Sequence, residues 1–170
     1  MRLRNRMRIR MAAGEWVRMA RVMAPREFKN KRAFFEFHIL EKVEAGLALR
    51  GTEVKSIREG NINLADSYAR EMNGELFLVN CHIPEYRAGG WTNHDPRRPR
   101  KLLLHKREVA KIITKIEQKG LTIVPLRLYF NDRGYAKVEI GVAQGKKLHD
   151  KRADMKRRDA DREIRRQMTG

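Results

Sequence analysis

The side chains best suited to acid–base chemistry in this sequence are His149 and Asp150, which are adjacent. An imidazole beside a carboxylate resembles a general base and the group that orients it. No nucleophile or oxyanion-hole motif accompanies the pair, and Cys81 is the only cysteine, so there is no thiolate zinc cluster. Metal-ligand spacing is also missing from the other histidines, which are His38, His82, His94 and His105. We therefore expect no catalytic residue, no metal and no cofactor.

His149 and Asp150 instead lie inside a basic stretch, residues 145–152. Its four cations are Lys146, Lys147, Lys151 and Arg152. Lysine and arginine bind phosphate oxygens, and an imidazole can stack on a nucleobase. We interpret the stretch as a hinge that connects a folded domain to a basic tail directed at a polyanion.

The distribution of charge supports a nucleic-acid partner. The net charge is +18, and residues 1–32 carry 11 basic and 2 acidic side chains. Residues 33–143 carry 18 and 14, and residues 144–170 carry 10 and 5. An excess of cations near the ends is typical of arms that release counterions on binding phosphates. No segment approaches the ~20 apolar residues of a membrane span, so we expect no membrane partner.

Alternating apolar residues predict six short strands. Phe35, Phe37 and Ile39 begin the first, and residues 45–49 continue it, with a bend or bulge at Gly46. Four further strands form two hairpins, 68–72 with 75–79 around Asn73-Gly74, and 126–130 with 138–142. Pro125 should lie at an edge or a bulge. A small closed antiparallel barrel buries such half-apolar strands best.

Two helices are predicted beside these strands. Thr52 can cap a short helix that runs to Arg58 and ends at Gly60. The apolar residues of a longer helix recur with helical spacing before Gly120, at Val109, Ile112, Ile113 and Ile116. Between the two, prolines and glycines make residues 80–101 irregular.

The chain therefore divides into three segments. Residues 1–24 are a basic extension, or the consequence of a start assigned too early, with Met23 as the alternative first residue. Residues 25–144 form the barrel. Residues 145–170 form a basic tail with a thin apolar stripe, which we expect to be disordered alone and helical on a surface that binds it.

Several blocks of the sequence resemble the small protein B family, which binds SsrA, the transfer-messenger RNA. In order, they are NKRA at 30–33, EAGLAL at 44–49, TEVKSIR at 52–58, DSY at 66–68, HDP at 94–96, RKLLL at 100–104, and IGVA at 140–143 followed by GKKLHDKR at 145–152. Residues 1–22 match nothing in the family pattern.

The resemblance implies a mainly β protein, an oligonucleotide-binding-type barrel of six antiparallel strands with three helices. The third helix would lie within residues 60–101. It also implies an RNA-binding protein without catalytic activity, which brings transfer-messenger RNA to stalled ribosomes for trans-translation. The tail would enter the vacant mRNA path at the small-subunit decoding centre. We accordingly expect a cytoplasmic monomer.

Site residues follow from the same resemblance. Contacts with the tRNA-like domain of the RNA are expected from Asn30, Lys31, Arg32, Glu44, Lys55, Arg100, Lys101 and Leu103. Decoding-centre contacts are expected from Lys146, Lys147, His149, Asp150, Lys151 and Arg152.

Ordinary structural roles compete with some of these assignments. Glu44 is either a hydrogen-bond acceptor for a base or 2′-hydroxyl, or a solvated strand acid. Leu103 either packs on a base or belongs to the core, and Asn30 either contacts a base edge or caps a turn. Trp91 either stacks on a base or anchors its loop.

Two other functions are compatible with parts of the sequence. A ribosomal RNA-binding protein with the same barrel would share the charge. A metal-dependent nuclease would need several carboxylates around one ion, and no such set is recognisable here.

Overall fold

The computed structural model describes residues 27–147, 150, 155, 163–164 and 166–168. Seven strands and three α-helices make up the fold of residues 27–147, and the described residues after them are helical. The strands are β1 (Phe28–Lys29), β2 (Phe37–Leu47), β3 (Tyr68–Met72), β4 (Glu75–Val79), β5 (Arg100–Leu103), β6 (Thr122–Phe130) and β7 (Ala136–Gly145). The helices are α1 (Lys31–Glu36), α2 (Gly51–Glu59) and α3 (Lys106–Lys119), with a 3₁₀ turn at Gly90–Thr92.

The strands β2 to β7 close into a barrel. The sheet order is β1-β6-β3-β4-β5-β2-β7, and β7 also pairs with β6, which joins the two sides of the sheet. All pairings are antiparallel. The two-residue β1 adds to β6 outside the ring. The predicted six-stranded antiparallel barrel is thus confirmed.

The composition of the six strands differs from the prediction. Residues 35–39 and 45–49 were predicted as two pieces, but a single strand, β2, covers most of both. The sixth strand is instead β5, which begins inside the region predicted to be irregular. The β2 bulge lies between Ile39 and Glu41 rather than at Gly46. The second bulge, between Pro125 and Arg127, confirms the prediction for that proline.

Helix α1 lies where the alternation of Phe35 with Phe37 predicted a strand, and it is the third helix, so its expected place within residues 60–101 was wrong. The Asn30 side chain caps it, because Asn30 Oδ1 accepts a hydrogen bond from Ala33 N at 3.1 Å. Ala33 is buried against a small cluster that includes Val124 and Leu126. Burial of this helix face therefore outweighs the local strand pattern.

The other local predictions hold with one change. Asn73 and Gly74 both have positive φ (55° and 76°), as a two-residue hairpin turn requires. Gly60 and Gly120 end α2 and α3 in the left-handed conformation. The N-cap of α2 is Arg50, however, and the Thr52 hydroxyl instead hydrogen-bonds His94 Nδ1 at 2.9 Å.

A fully buried carboxylate, Glu53, connects α2 to the segment before β5. Its Oε1 accepts from Arg100 Nε at 2.7 Å and from Arg98 Nε at 2.9 Å, and its Oε2 accepts from the Arg50 main chain at 2.6 Å. Burial raises the pKa of Glu53, but the hydrogen bonds from Arg98, Arg50 and Arg100 together lower it more, so the net pKa lies below the usual value. This cluster holds α2 and the start of β5 together.

We expect Glu53→Gln to destabilise the fold by about 3–5 kcal/mol at neutral pH, because it leaves the buried Arg100 charge without its counterion. The depressed pKa means that the carboxylate stabilises the native state fully above its ordinary value of about 4.5 and loses this effect as the pH falls through the native pKa. The advantage of the unmodified protein over Glu53→Gln should therefore shrink in acid. Urea unfolding at several pH values measures it.

The matched control is Glu117→Gln, which removes an exposed carboxylate from α3. We expect a change within about 0.5 kcal/mol. A similarly small effect of Glu53→Gln at neutral pH would contradict the role given to the buried cluster.

Candidate nucleic-acid interface

One row of residues crosses four neighbouring strands on the outside of the barrel. Leu103 of β5 lies opposite Gly46 of β2, Gly46 lies opposite Lys137 of β7, and Lys137 lies opposite Tyr129 of β6. Side chains alternate along a strand, so residues next to these, such as Val138, point into the core. The row therefore presents an apolar, a small, a cationic and an aromatic residue side by side.

A second row lies beside the first. Glu44 of β2 is opposite Glu139 of β7, which is opposite Arg127 of β6, which is opposite Lys29 of β1. Arg127 Nη2 is 2.8 Å from Glu139 Oε2, and its guanidinium lies 5.1 Å from the centre of the Tyr129 ring. The two rows thus form a surface in which charges are already paired and oriented before a ligand arrives.

Glu44 is the acidic centre of this surface. Its side chain is 52% exposed, the Tyr129 hydroxyl donates to it, and Lys137 Nζ lies 3.1 Å from its Oε1. The hydrogen bond from Tyr129, and then that from Lys137, lower the pKa of Glu44, whereas the same bond raises the pKa of Tyr129. At neutral pH Glu44 is therefore an ionised, partly exposed acceptor, suited to an amino group or a ribose hydroxyl.

Leu103 is exposed because side chains alternate along β5, and the residue before it points into the core. Leu102 is buried, whereas Leu103 is 52% exposed. Opposite it, a Cβ on Gly46 would come within 3.1 Å of Leu103 Cβ, so glycine leaves the space in which the leucine side chain lies. Of the two roles considered for Leu103, the geometry supports the surface contact.

An open groove of about 1190 Å³ brings three of the predicted residues together. Glu44, Lys101 and Leu103 all line it, as does Lys137. Lys101 Nζ is held 2.5 Å from Glu75 Oε1 at its edge. Cations for phosphates, a carboxylate for donors and an apolar floor for a sugar or base occur here in one place.

Two predicted contact residues are buried and have their polar atoms engaged inside the protein. Asn30 is 3% exposed and its Nδ2 donates to Leu64 O at 2.8 Å and to Pro125 O at 3.0 Å. Arg100 is fully buried, with its guanidinium on Glu53 and on main-chain oxygens, among them Cys81 O at 2.5 Å. Neither presents its polar side-chain atoms to a ligand, and both hold main-chain segments together.

Three further predicted residues are exposed but lie outside the groove. Lys31 and Arg32 begin α1, where Arg32 pairs with Glu36 at 2.7 Å and with Asp66 at 2.5 Å. Lys55 lies on α2, with its Nζ 5.3 Å from the centre of the Tyr86 ring. The structure therefore distributes the predicted cations over more than one surface.

The start of the basic stretch is attached to the barrel. Lys146 N donates to Glu36 O at 2.9 Å and its Nζ donates to Phe34 O at 3.1 Å. Asp150 Oδ2 accepts from Lys147 N at 3.3 Å and lies 3.6 Å from His38 Nε2. The other predicted decoding-centre residues, His149, Lys151 and Arg152, lie outside the described residues.

Sequence reasoning missed Tyr129, Lys137 and Arg127. The sequence did indicate that these residues face outward, because they alternate with apolar residues such as Leu128 and Val138 along the hairpin. What the alternation does not contain is the cross-strand register that brings them beside Glu44.

Within the part of the chain that the structure describes, no three His, Cys, Asp or Glu side chains converge as a metal site. Burial raises the pKa of the Cys81 thiol to about 11, so that sulfur is protonated at neutral pH. None of the described helices is long and apolar enough to cross a membrane.

Removing the Tyr129 hydroxyl tests how Glu44 is kept ionised. Tyr129→Phe is expected to raise the pKa of Glu44 toward its ordinary value, because the hydrogen bond that contributes most to lowering it is lost. A carboxyl-carbon NMR titration measures the change. Tyr135→Phe, which alters an exposed tyrosine in the adjoining turn, should leave that pKa unmoved. An unchanged titration of Glu44 in Tyr129→Phe would contradict the pairing.

Comparison with known proteins identifies the family. A family model described as SmpB protein matches residues 27–170. An SsrA-binding protein of Carboxydothermus hydrogenoformans is 59% identical over 136 residues, 80% of this chain and 91% of the relative. One from Trichodesmium erythraeum is 59% identical over 138 residues, 81% of this chain and 88% of the relative.

A solved structure described by the words "tmRNA-SmpB: a journey to the center of the bacterial ribosome" is also similar. It shares 55% identity with a TM-score of 0.61, over 72% of this chain and 85% of that chain. A barrel with this outer surface, a family match over most of the chain and relatives of this identity lead to one conclusion: the chain belongs to the SmpB family.

Proposed function

We propose that this chain binds transfer-messenger RNA and acts with it on the ribosome in trans-translation. Its relatives are SsrA-binding proteins, and its solved neighbour is a tmRNA–SmpB structure in the context of the bacterial ribosome. The observation that carries the proposal is the outer surface of the barrel, where exposed Glu44 and Leu103 and half-buried Lys137 lie together around one groove.

We infer that the groove binds the tRNA-like domain of that RNA. Lys101 and Lys137 can bind phosphates, and Leu103 can pack on a splayed base or a ribose. Ionised Glu44 can accept from a 2′-hydroxyl or an amino group but repels a phosphate. A surface with this mixture reads the shape of an RNA rather than its charge alone.

We infer that the protein works by binding and not by catalysis, and that it acts in the cytoplasm. In support, the relatives are described as SsrA-binding proteins, and the groove brings together paired ions and an apolar floor. Its task is to hold an RNA and present it.

We further infer that residues 145–170 form the ribosome-directed part, which enters the vacant mRNA path at the decoding centre. Supporting this division, β7 ends at Gly145 and the main chain of Lys146 still bonds to Glu36. The barrel thus grips the RNA while the basic stretch after it meets ribosomal phosphates. Lys147 and Asp150, with His149, Lys151 and Arg152, belong to that second contact.

Leu103→Ser should weaken binding of the isolated tRNA-like domain about tenfold. Burying an exposed leucine contributes about 1.5–3 kcal/mol when complete, and Leu103 is already about half covered. Leu40→Ser is the matched control, because Leu40 is a comparably exposed leucine (58%) that does not line the groove. Fluorescence anisotropy with labelled RNA measures both.

Glu44→Ala provides an independent test of the same surface. We expect a loss well above twofold, because an acceptor already oriented by Tyr129 and Lys137 disappears. Changes below twofold for both Leu103→Ser and Glu44→Ala would place the RNA on another face.

Reversing the charge of Lys151 and Arg152 together should abolish tagging of proteins on stalled ribosomes and leave affinity for free transfer-messenger RNA nearly unchanged. The reason is that these cations are assigned to the ribosome and not to the groove. A chain cut after Lys147, which keeps all of β7 and the Lys146 bond, should behave in the same way. An equal loss in both assays would show that the tail acts only as general electrostatic attraction.

A further inference from the structure

The segment 84–94, between β4 and β5, presents a tryptophan fully to solvent. Trp91 is 97% exposed, on the 3₁₀ turn Gly90–Thr92. Of the two roles considered for it, anchoring the loop on the core is excluded by this exposure. Exposing so large an apolar ring is unfavourable in water. The loop must therefore hold Trp91 in this position, and a binding partner could cover the ring.

The turn that carries Trp91 is held rigid by its own hydrogen bonds. Asn93 Oδ1 accepts from Tyr86 N at 3.0 Å and Asn93 Nδ2 donates to Tyr86 O at 2.9 Å. Thr92 Oγ1 donates to Gly89 O at 2.7 Å. A Cβ on Gly89 would lie 2.6 Å from Asn93 Oδ1, so this turn closes tightly only with glycine there.

Both ends of the segment are attached to α2. Ser56 Oγ donates to Pro84 O at 2.7 Å, and buried His94 lies between Thr52 Oγ1 at 2.9 Å and Ile83 O at 3.0 Å. Thr52 and Ser56 are one helical turn apart, so one face of α2 holds the two ends. The exposure of Trp91 is thus built into an ordered loop.

The surroundings of Trp91 favour a nucleic acid over a protein partner. Lys55 on α2 lies over the Tyr86 ring, and Arg87 in the segment and Arg97 just after it are exposed, whereas the acids are Glu85 in the segment and Asp95 just after it. No other large hydrophobic side chain between residues 73 and 102 is exposed. A protein interface would need a larger apolar core, whereas one exposed aromatic ring on an ordered loop that also carries Arg87 suits stacking on an unpaired base.

We propose that Trp91 is a second RNA contact, which stacks on an unpaired base while Lys55 and Arg87 bind adjacent phosphates. The base belongs either to transfer-messenger RNA or to ribosomal RNA, which share this chemistry. The contact is separate from the groove, since neither Trp91 nor Lys55 lines it. It rests on the proposed function only in that the chain must bind RNA.

Affinities of Trp91→Ala and Trp91→Phe for the tRNA-like domain and for ribosomes stalled without a stop codon distinguish the two sources. Loss of base stacking costs about 1–3 kcal/mol per base, so Trp91→Ala should weaken binding to one of the two partners at least about fivefold. Trp91→Phe should recover most of that loss. Asn93→Ala, which unlocks the turn but keeps the ring, should weaken binding to the same partner.

A spectroscopic readout makes the contact direct. The chain has two tryptophans, Trp16 and Trp91, so in Trp16→Phe the fluorescence comes from Trp91 alone. Stacking on a base should quench it when the tRNA-like domain is added, if that RNA is the source. When ribosomes are the source, quenching should appear with a fragment of their RNA and not with the tRNA-like domain.

The outcomes separate this proposal from the proposed function. If the unmodified protein binds the tRNA-like domain and Leu103→Ser weakens it, while Trp91→Ala stays within twofold for both partners, the second contact is refuted and the function stands. If the unmodified protein binds neither partner, both are refuted. Unfolding of Trp91→Ala should match that of the parent, since the ring touches little of the protein.

Discussion

The pairing of β7 with both β2 and β6 is the constraint on which the rest of the structure depends. It closes the ring of β2 to β7, so β7 is not left as an open edge whose backbone polar groups face water or another chain. It also sets the register between three strands at once. A slip of one residue would turn Val138 and Ile140 outward and bring Lys137 into the core. Because the core side chains fix the register of the strands, they also determine which residues face outward.

The closure of the barrel also determines which residues lie side by side on its outer surface. Glu44, Tyr129 and Lys137 come from three different strands, and Glu44 is more than eighty residues from the other two in sequence, yet the three form one hydrogen-bonded group. A ligand that meets this group finds it already arranged, which lowers the entropy lost on binding. The buried Glu53 cluster has a parallel role on the other side of β5, where it fixes the backbone that leads into Lys101 and Leu103.

The parts of the fold that could be predicted from sequence are those decided locally. The Asn73-Gly74 hairpin, the ends of α2 and α3 at Gly60 and Gly120, and the bulge at Pro125 depend on backbone conformations that only a few residues adopt. Helix α1 could not be predicted, because its stability comes from Ala33 packing on β6 and β7 rather than from its own residues. Strand β5 was not predicted, because the prolines before it indicate irregular structure.

For the site, the residues predicted by resemblance to a family differ in how the structure places them. The resemblance pointed to Glu44 and Leu103, which the structure finds exposed beside one groove. It pointed equally to Asn30 and Arg100, whose polar atoms turn out to be used up inside the protein. Burial therefore separates predicted residues that could contact a ligand directly from those whose polar atoms only support the backbone.

The bond from Lys146 N to Glu36 O has a geometric consequence. It fastens the last residues of the barrel at the junction of α1 and β2, so the point from which the polypeptide leaves is stationary relative to the groove. The position at which the chain leaves the barrel, relative to the groove, is then set by the barrel itself. Under the function proposed above, an RNA bound in the groove would therefore place the outgoing chain at one position in space, and a ribosome that accepts both must have free room at that position.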